Sequence, residues 1–422
     1  MLIPQELQLS QFYYMIAERQ LISHLYQNKE NGQWVIQSND KHQKGVAKIA
    51  ASFAKRFELP SWGYALGLLH DKGKERAAFQ QYIRKVNGLS TDDKKHYNDH
   101  AHAFVGGILA KDFMGKDVLN LLANQIISHH TGLYDYVEAE NILQEKPLPE
   151  EIDKDNINID IPFLYKEFLE SPFSKFKVDR KHFHHLSRML FSCLVDADRL
   201  DTEQFMNLES WQKRKCSSTV VDLLPKLEAH LQKLQLDAVD TEVNRIRRKV
   251  QEQCSKTSLG EKGFYSLTVP TGGGKTLSSL LWAMKHAANH AMNRIIIAIP
   301  YTSIIVQTAG LLKKIFGEEN VLEHHSNFNP DDIKNEEVRE KAKLATENWD
   351  YPIIVTTNVQ LFESMFSNRP SECRKLHNIV NSVIILDEVQ TLPTDFLQPI
   401  VDAMKAYQKM FGVSILFTTA SQ

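Results

Sequence analysis

The sequence predicts a multidomain chain: an all-α helical bundle followed by an α/β domain built on a parallel sheet. Three observations carry that expectation. At 422 residues the chain is too long for one ordinary core and asks for two or three domains. From about residue 42 to 210 the apolar residues recur at helical spacing. "HQKGVAKIAASFAKRF" places Val46, Ile49, Ala50 and Phe53 three and four apart, and "VLNLLANQIISHH" does the same with Leu119, Leu122 and Ile126. Beyond about residue 258 short apolar runs ("FYSLTV", "RIIIAI", "PIIVTT", "SVIILD", "VSILFTT") alternate with helix-like segments, the texture of a parallel sheet buried on both faces.

Taken in order, the start "MLIPQELQLSQFYYMIAERQ" lacks a basic segment followed by an apolar core, so no signal peptide is expected there. No apolar run approaches the ~20 residues that span a bilayer. The cysteines, Cys193, Cys216, Cys254 and Cys373, lie far apart with no CxxC pair and suit a reducing cytoplasm. The interruption "EKPLPEEIDKDNINIDIP" is charged and proline-containing, and reads as a surface loop. A polar, mostly helical stretch with the basic cluster "NRIRRK" follows. The expected plan is an all-α domain over 1–210, a helical connector over 211–262 and an α/β domain over 263–422. A formal net charge of -2 gives no global basic field, so nucleic-acid binding would need local patches or backbone donors.

In the α/β domain, "SLTVPTGGGKTLSSLLWAM" runs strand, glycine loop, helix. The loop Thr271, Gly272, Gly273, Gly274 can turn backbone N–H groups around phosphate oxygens, above the positive end of a helix. Lys275 would reach the β- and γ-phosphates, and the Thr276 hydroxyl would hold Mg²⁺. Val269 stands where the strict phosphate loop has its first glycine. Roughly a hundred residues on, "SVIILDEVQTLP" is an apolar strand ending in Asp387-Glu388. Asp387 would support the Mg²⁺ and Glu388 would polarise the attacking water. An acidic pair at a strand end is common singly; after a phosphate loop it points to an ATPase core.

The segments "AIPYTSIIVQ", "IVTTNVQLFES", "DEVQ" and "FTTAS" resemble, in order, motifs Ia, Ib, II and III of superfamily 2 helicases. That family tolerates a non-glycine at the first loop position. The resemblance implies a RecA-like lobe in which Thr302, Ser303, Thr356 and Thr357 hold single-strand phosphates, contacts that suit a near-neutral chain. It also implies that Thr418, Thr419 and Ser421 couple the ATP site to strand movement. Taken alone, these Ser/Thr runs also read as caps and turns. Because the sequence stops at "TTASQ", the second RecA-like lobe is expected to be missing and ATP turnover by these residues alone to be weak.

In the α domain a lone histidine is more often a surface or satisfied core residue than a ligand. An ordered set is another matter: His42, His70-Asp71, His100, His129-His130 and then Asp198, with Asp196 as second choice. This resembles the H…HD…H…HH…D order of HD-superfamily phosphohydrolases, which hold one or two divalent metals on a helical bundle. Imidazole suits Mn, Co, Ni, Fe or Zn, and carboxylates can bridge two ions. Asp71 would span both, and no separate protein nucleophile would be needed. His96 and His102 flank His100, which is preferred because "DH" precedes a small-residue segment. Asp196, about 200° around the helix from Asp198, should face elsewhere. Lys74 in "HDKGK" would assist phosphate binding, or is a solvated lysine. His184-His185 reads as surface helix, and His324-His325 has no obvious carboxylate companion.

An HD domain ahead of a superfamily 2 lobe resembles the Cas3 family of nuclease-helicases from type I CRISPR–Cas systems. The likeness extends to "HHTGLYDY", "DADRLDTE", "VPTGGGKTLSS", "PYTSIIVQT" and "DEVQTLP". It implies recruitment by a Cascade–crRNA complex, loading on single-stranded DNA, metal-dependent cutting and ATP-driven 3′-to-5′ movement in the cytoplasm, with no membrane involved. Two rival readings stand beside it. One is an HD nucleotidase or cyclic-nucleotide phosphodiesterase under an ATPase switch. The other is a non-catalytic DNA- or Cascade-binding module.

Overall fold

The computed structural model describes residues 20–89, 100–114, 119–154, 157–175, 182–214 and 218–420. They fall into two units, the first mainly residues up to Lys175 with Leu186–Trp211, the second mainly Gln212 onward. Among the described residues no helix is long and apolar enough to cross a membrane.

The first unit is helical except at its start. Strands β1 (Ile22–Gln27) and β2 (Trp34–Ser38) pair antiparallel across a turn holding Asn31-Gly32. This hairpin departs from the all-α expectation; its signals are the turn dipeptide and the Trp34, Val35, Ile36 run. It packs through Ile22 and Leu25 on Phe79 and Ile83 of a later helix. The helices that matter for the site are α1 (Asn39–Ala54), α2 (Pro60–Leu69), α3 (Ala77–Val86), α4 (Ala103–Met114), α5 (Asn124–Ser128), α6 (Tyr136–Glu145), α7 (Ile161–Glu170) and α8 (Phe183–Met206).

Small residues bring α1, α2 and α4 together. A Cβ on Gly67 of α2 would lie 2.3 Å from the Cα and N of Ala47 on α1, and one on Gly106 of α4 would lie 1.9 Å from the Leu69 carbonyl. Only glycine permits such backbone approach. Ala47, Ala50 and Ala54 present the matching small face of α1 and are fully buried. The start of α1, the end of α2 and the entry to α4 therefore converge.

The second unit is a six-stranded, all-parallel sheet in the order β3-β8-β7-β4-β6-β5: β3 (Phe264–Thr268), β4 (Arg294–Ile299), β5 (Val321–His324), β6 (Ile353–Thr357), β7 (Ser382–Asp387) and β8 (Ser414–Thr419). β4, β6 and β7 are buried through nearly their whole length, as strands covered on both faces must be. Helices α9 (Val220–Leu236) and α10 (Glu242–Thr257) do more than connect. Val220, Leu223, Leu227, Leu231 and Cys254 enter the same core as Ile295, Val355 and Ile385.

Candidate metal centre and nucleotide site

Six elements deliver donors to one place in the first unit. His42 comes from the first turns of α1, and His70 caps α2. Asp71 starts the short turn Lys72–Glu75, with its carbonyl held by Asn39 Nδ2 at 3.2 Å. His102 directly precedes α4, His129 and His130 follow α5, and Asp198 lies on α8. Two groups of four donors result, each with its atoms within 4.8 Å of one another: His42, His70, Asp71 and Asp198; and Asp71, His102, His129 and His130. Asp71 belongs to both.

The imidazoles share a design. His70 Nδ1 donates to the Gly67 carbonyl (2.8 Å), His129 Nδ1 to that of Ile126 (2.6 Å) and His102 Nδ1 to that of His100 (2.8 Å). His42 Nδ1 is committed to Asp201 Oδ2 at 2.7 Å. With these four Nδ1 atoms spoken for, Nε2 of His42, His70, His102 and His129 is the atom that faces inward, the arrangement that orients metal-binding histidines. His42 Nε2 lies 3.3 Å from Asp71 Oδ2 and 3.3 Å from Asp198 Oδ1. His102 Nε2 and His129 Nε2 lie 3.3 and 3.5 Å from Asp71 Oδ1.

The electrostatics call for cations. Burial alone would lower the His42 pKa, but hydrogen bonds to Asp198, Asp201 and Asp71 outweigh it and raise the ring to about 10. Burial likewise opposes the charge on His70, and Asp71 and Asp198 raise it to about 9. Asp71 and Asp198 are pushed the other way, well below the carboxylate range despite burial, chiefly by His70 and Lys74 for Asp71 and by His42 and His70 for Asp198. Asp71 Oδ1 and His129 Nε2 are buried and make no hydrogen bond. Orphaned donors of this chemistry inside a nitrogen–oxygen cage fit divalent transition metals.

The structure departs from the sequence expectation at His100. His100 supplies no ligating atom to either group; His102 does. The physical reason is local: the His100 ring rests against Tyr82, its carbonyl fixes the His102 tautomer, and His102 sits at the mouth of the helix that Gly106 seats on Leu69. His96 lies outside the described residues. Asp198 joins the cluster and Asp196 does not. Lys74 is not a solvated lysine; it is buried, with Nζ 2.6 Å from Asp71 Oδ2. His185 is buried rather than on the surface, and His325 does have a carboxylate companion, Glu323, at 3.0 Å. Asp201 was missed, though it stands three residues after Asp198 and so on the same helix face.

In the second unit the glycine loop, Asp387-Glu388 and the end of β8 meet at the carboxyl edge of the sheet, where open α/β sheets bind ligands. Gly272 and Gly274 have φ of +82° and +84°, which only glycine adopts readily. Val269 is buried with no positive φ, and a Cβ on Gly273 would meet its Cγ1 at 2.5 Å. Position 269 thus takes a β-branched residue without strain. Lys275 Nζ lies 3.0 Å from Asp387 Oδ1 and pairs with Glu388, while Thr271 and Thr276 are exposed beside it. The Thr418 hydroxyl donates to Asp387 Oδ1, and the Thr419 carbonyl accepts from Val269 N, so β8 touches both nucleotide motifs. Ser421 lies outside the described residues. Arg247 of α10, from the basic cluster, donates through Nε and Nη2 to the Gly272 carbonyl at 2.9 and 2.6 Å.

Of the four hydroxyl residues expected to hold strand phosphates, Thr302, Ser303 and Thr357 are at least partly exposed. Thr356 is corrected: it is wholly buried and its hydroxyl donates to the His324 carbonyl at 2.7 Å. It lies within the sheet beside His324 of β5, whereas Thr357 ends the strand and its hydroxyl accepts from Gln360 N.

Comparisons with known proteins match both units. An HD domain model matches residues 39–155, and a DEAD/DEAH box helicase model matches residues 248–422. The CRISPR-associated nuclease/helicase Cas3 of Haloferax volcanii is 25% identical over 227 residues, 46% of this chain and 24% of its own length. A putative CRISPR-associated nuclease/helicase Cas3 of Methanocaldococcus jannaschii is 26% identical over 373 residues, 76% of this chain and 49% of that protein. The crystal structure of T. fusca Cas3-AMPPNP superposes with a TM-score of 0.57 at 13% identity, covering 95% of this chain and 50% of that one, a likeness of fold. The chain spans about half or less of the length of these relatives.

Proposed function

We propose that this chain, a Cas3-like pairing of an HD domain with a DEAD/DEAH box helicase domain, cuts single-stranded DNA at the centre around Asp71 and binds ATP at its glycine loop. The single observation that carries the reading is the place of Asp71, whose two oxygens face two different sets of nitrogens. His42, His70, Asp71 and Asp198 would hold one divalent cation, and Asp71, His102, His129 and His130 a second. Such cations supply Lewis acidity and a water ionised near neutral pH. Lys74, buried beside Asp71, helps keep it ionised.

At the other site the loop Thr271–Gly274 would cradle the phosphates, with Lys275 on the β/γ oxygens, Thr276 and Asp387 on Mg²⁺, and Glu388 polarising the water. Thr302, Ser303 and Thr357 would contact the strand's phosphates, and Thr418 and Thr419 would relay ATP state to them. Residues 1–210 would form the nuclease part and 263–422 the first RecA-like lobe, with α9 and α10 of the 211–262 stretch packed into the core of that lobe. A second lobe from outside these residues would complete a 3′-to-5′ motor, recruited in the cytoplasm by a Cascade–crRNA complex.

The test is a cleavage assay on single-stranded DNA with Mn²⁺, Co²⁺, Ni²⁺, Fe²⁺ and Zn²⁺, with and without chelator and ATP. Free and cyclic nucleotides serve as rival substrates. DNA cleavage that chelator and Asp71→Ala both abolish supports the reading. Hydrolysis of nucleotides alone, or cleavage that survives Asp71→Ala, overturns it.

A further inference from the structure

The β1–β2 hairpin, absent from the sequence expectation, reaches the metal centre through two side chains. His24 and Gln37 are a directly opposed cross-strand pair, set there by a register shift between Ile22 and His24. Such a bulge re-aims the side chains around it. His24 Nδ1 lies 2.9 Å from Gln37 Oε1, and Gln37 Nε2 donates to Asp201 Oδ2 at 2.7 Å. That same oxygen accepts His42 Nδ1–H at 2.7 Å. On the other side, Lys74 Nζ reaches His24 Nε2 at 3.4 Å and the Ser23 hydroxyl at 3.2 Å. Gln80 ties the parts together, exchanging bonds with the Ile22 backbone and donating to the Lys74 carbonyl at 2.6 Å.

Donor and acceptor roles run one way round this circuit. The Gln37 amide oxygen takes the His24 Nδ1–H, which leaves His24 Nε2 as the acceptor facing Lys74. Its amide nitrogen can then only donate to Asp201, and Asp201 can only accept from His42. The consequence falls on His42: Nδ1 keeps its proton, and Nε2 is the nitrogen that would yield its own to a cation. The site is built for this. Gly45, one turn along α1 from His42, has its Cβ position 1.9 Å from Asp201 Oδ1, so any side chain there would evict the carboxylate.

We propose that Gln37 and Asp201 are positioning residues of the metal centre: the hairpin amide orients Asp201, and Asp201 fixes the tautomer and ring of His42. The inference rests on the reading of the Asp71 cluster as a metal site. Its sharpest consequence concerns Asp201→Asn. An asparagine can set its oxygen where Oδ2 stood and accept both bonds, and the Gln37 N–H selects that orientation. Without Gln37 the amide is free to turn its NH₂ toward His42 Nδ1, which would push the His42 proton to Nε2 and block it as a ligand.

The experiment is a Co²⁺ titration of the 422-residue chain followed by the visible spectrum, on wild type, Gln37→Leu, Asp201→Asn and the double variant, with circular dichroism on each sample. The expected losses of affinity are at most about 10-fold for each single change. The double loses about 100-fold or more, beyond the product of the singles, and its cobalt spectrum is altered. Gly45→Ala is an independent arm: a helix-favouring change that should still weaken Co²⁺ binding about 10-fold. Additive or absent losses in the folded variants overturn the positioning role while leaving the metal site standing. A wild-type chain that takes up no Co²⁺ overturns the metal site itself, and the inference with it.

Discussion

Gly67→Ala should damage the metal centre without touching a ligand. The new Cβ would sit 2.3 Å from the Cα and N of Ala47. Comfortable carbon contacts lie at about 3.5–4.0 Å, so α1 and α2 must part by about 1.2–1.7 Å. His42 rides on α1, while His70 and Asp71 follow α2, and His42 Nε2 stands 3.3 Å from Asp71 Oδ2. Metal–ligand distances tolerate about ±0.2 Å, so a shift several times larger removes His42 from the group it shares with Asp198. Overpacking costs about 1–3 kcal/mol and alanine returns up to about 1 kcal/mol of helix propensity. The net is about 0–2 kcal/mol, at most roughly 8 °C in melting temperature. The assay pairs thermal melts, with and without Mn²⁺, with a Co²⁺ titration. A variant that melts and binds like wild type would refute the view that this helix contact sets the ligand spacing.

Three further outcomes are expected. His102→Ala should lower metal affinity about 10–100-fold by calorimetry while His100→Ala, which keeps the carbonyl that matters, stays within a few-fold; the reverse order would reinstate His100. Arg247→Ala should weaken ATP binding about 3–10-fold by loosening the Gly272 carbonyl, read by nucleotide titration, with Arg247→Lys intermediate because it lacks the two-pronged donor. His324 is held neutral at about 4, first by burial and then by Lys375, with its Nδ1 accepting from Trp349 at 2.8 Å. Its folded pKa lies below the unfolded value of 6.5, so its contribution is whole above pH 6.5 and lost as pH falls from 6.5 toward 4. The ceiling is roughly 3 kcal/mol at about 1.4 kcal/mol per pH unit. Urea unfolding at pH 7, 5.5 and 4.5 should show that loss in wild type and a flatter profile in His324→Gln.

The order of residues along the chain, read through the resemblance to HD-superfamily phosphohydrolases, named most donors of the Asp71 cluster. It could not choose between His100 and His102. Two histidines two residues apart in a loop carry no period, and the choice is made by which one meets the mouth of α4. The hairpin escaped notice because its strands are short and lean on later helices for burial. β5 escaped because four residues, "VLEH", lie below what alternation can signal. Thr356 and Thr357 show the limit of motif reading within a strand. Thr356 is enclosed within a strand covered on both faces and Thr357 ends it, so a motif can name a pair when only one of them meets solvent.

Donors are therefore legible as chemistry, but their spacing is written in residues that have none. Gly67 and Gly106 set how near three helix ends approach, and Gly45 leaves room for Asp201. This has a consequence for the two donor groups. Asp71 is common to both, so any change to it empties both together. The remaining donors divide by element: His42 depends on α1, its glycine contact and the hairpin, whereas His102 depends on the entry to α4 and the carbonyl of His100. Gly67→Ala and His102→Ala should therefore each spare one group. If Co²⁺ stoichiometry falls in both by the same single site, with the same residual spectrum, the two groups are one site and Asp71 bridges nothing. Distinct residual spectra are what a shared carboxylate between separately built halves requires.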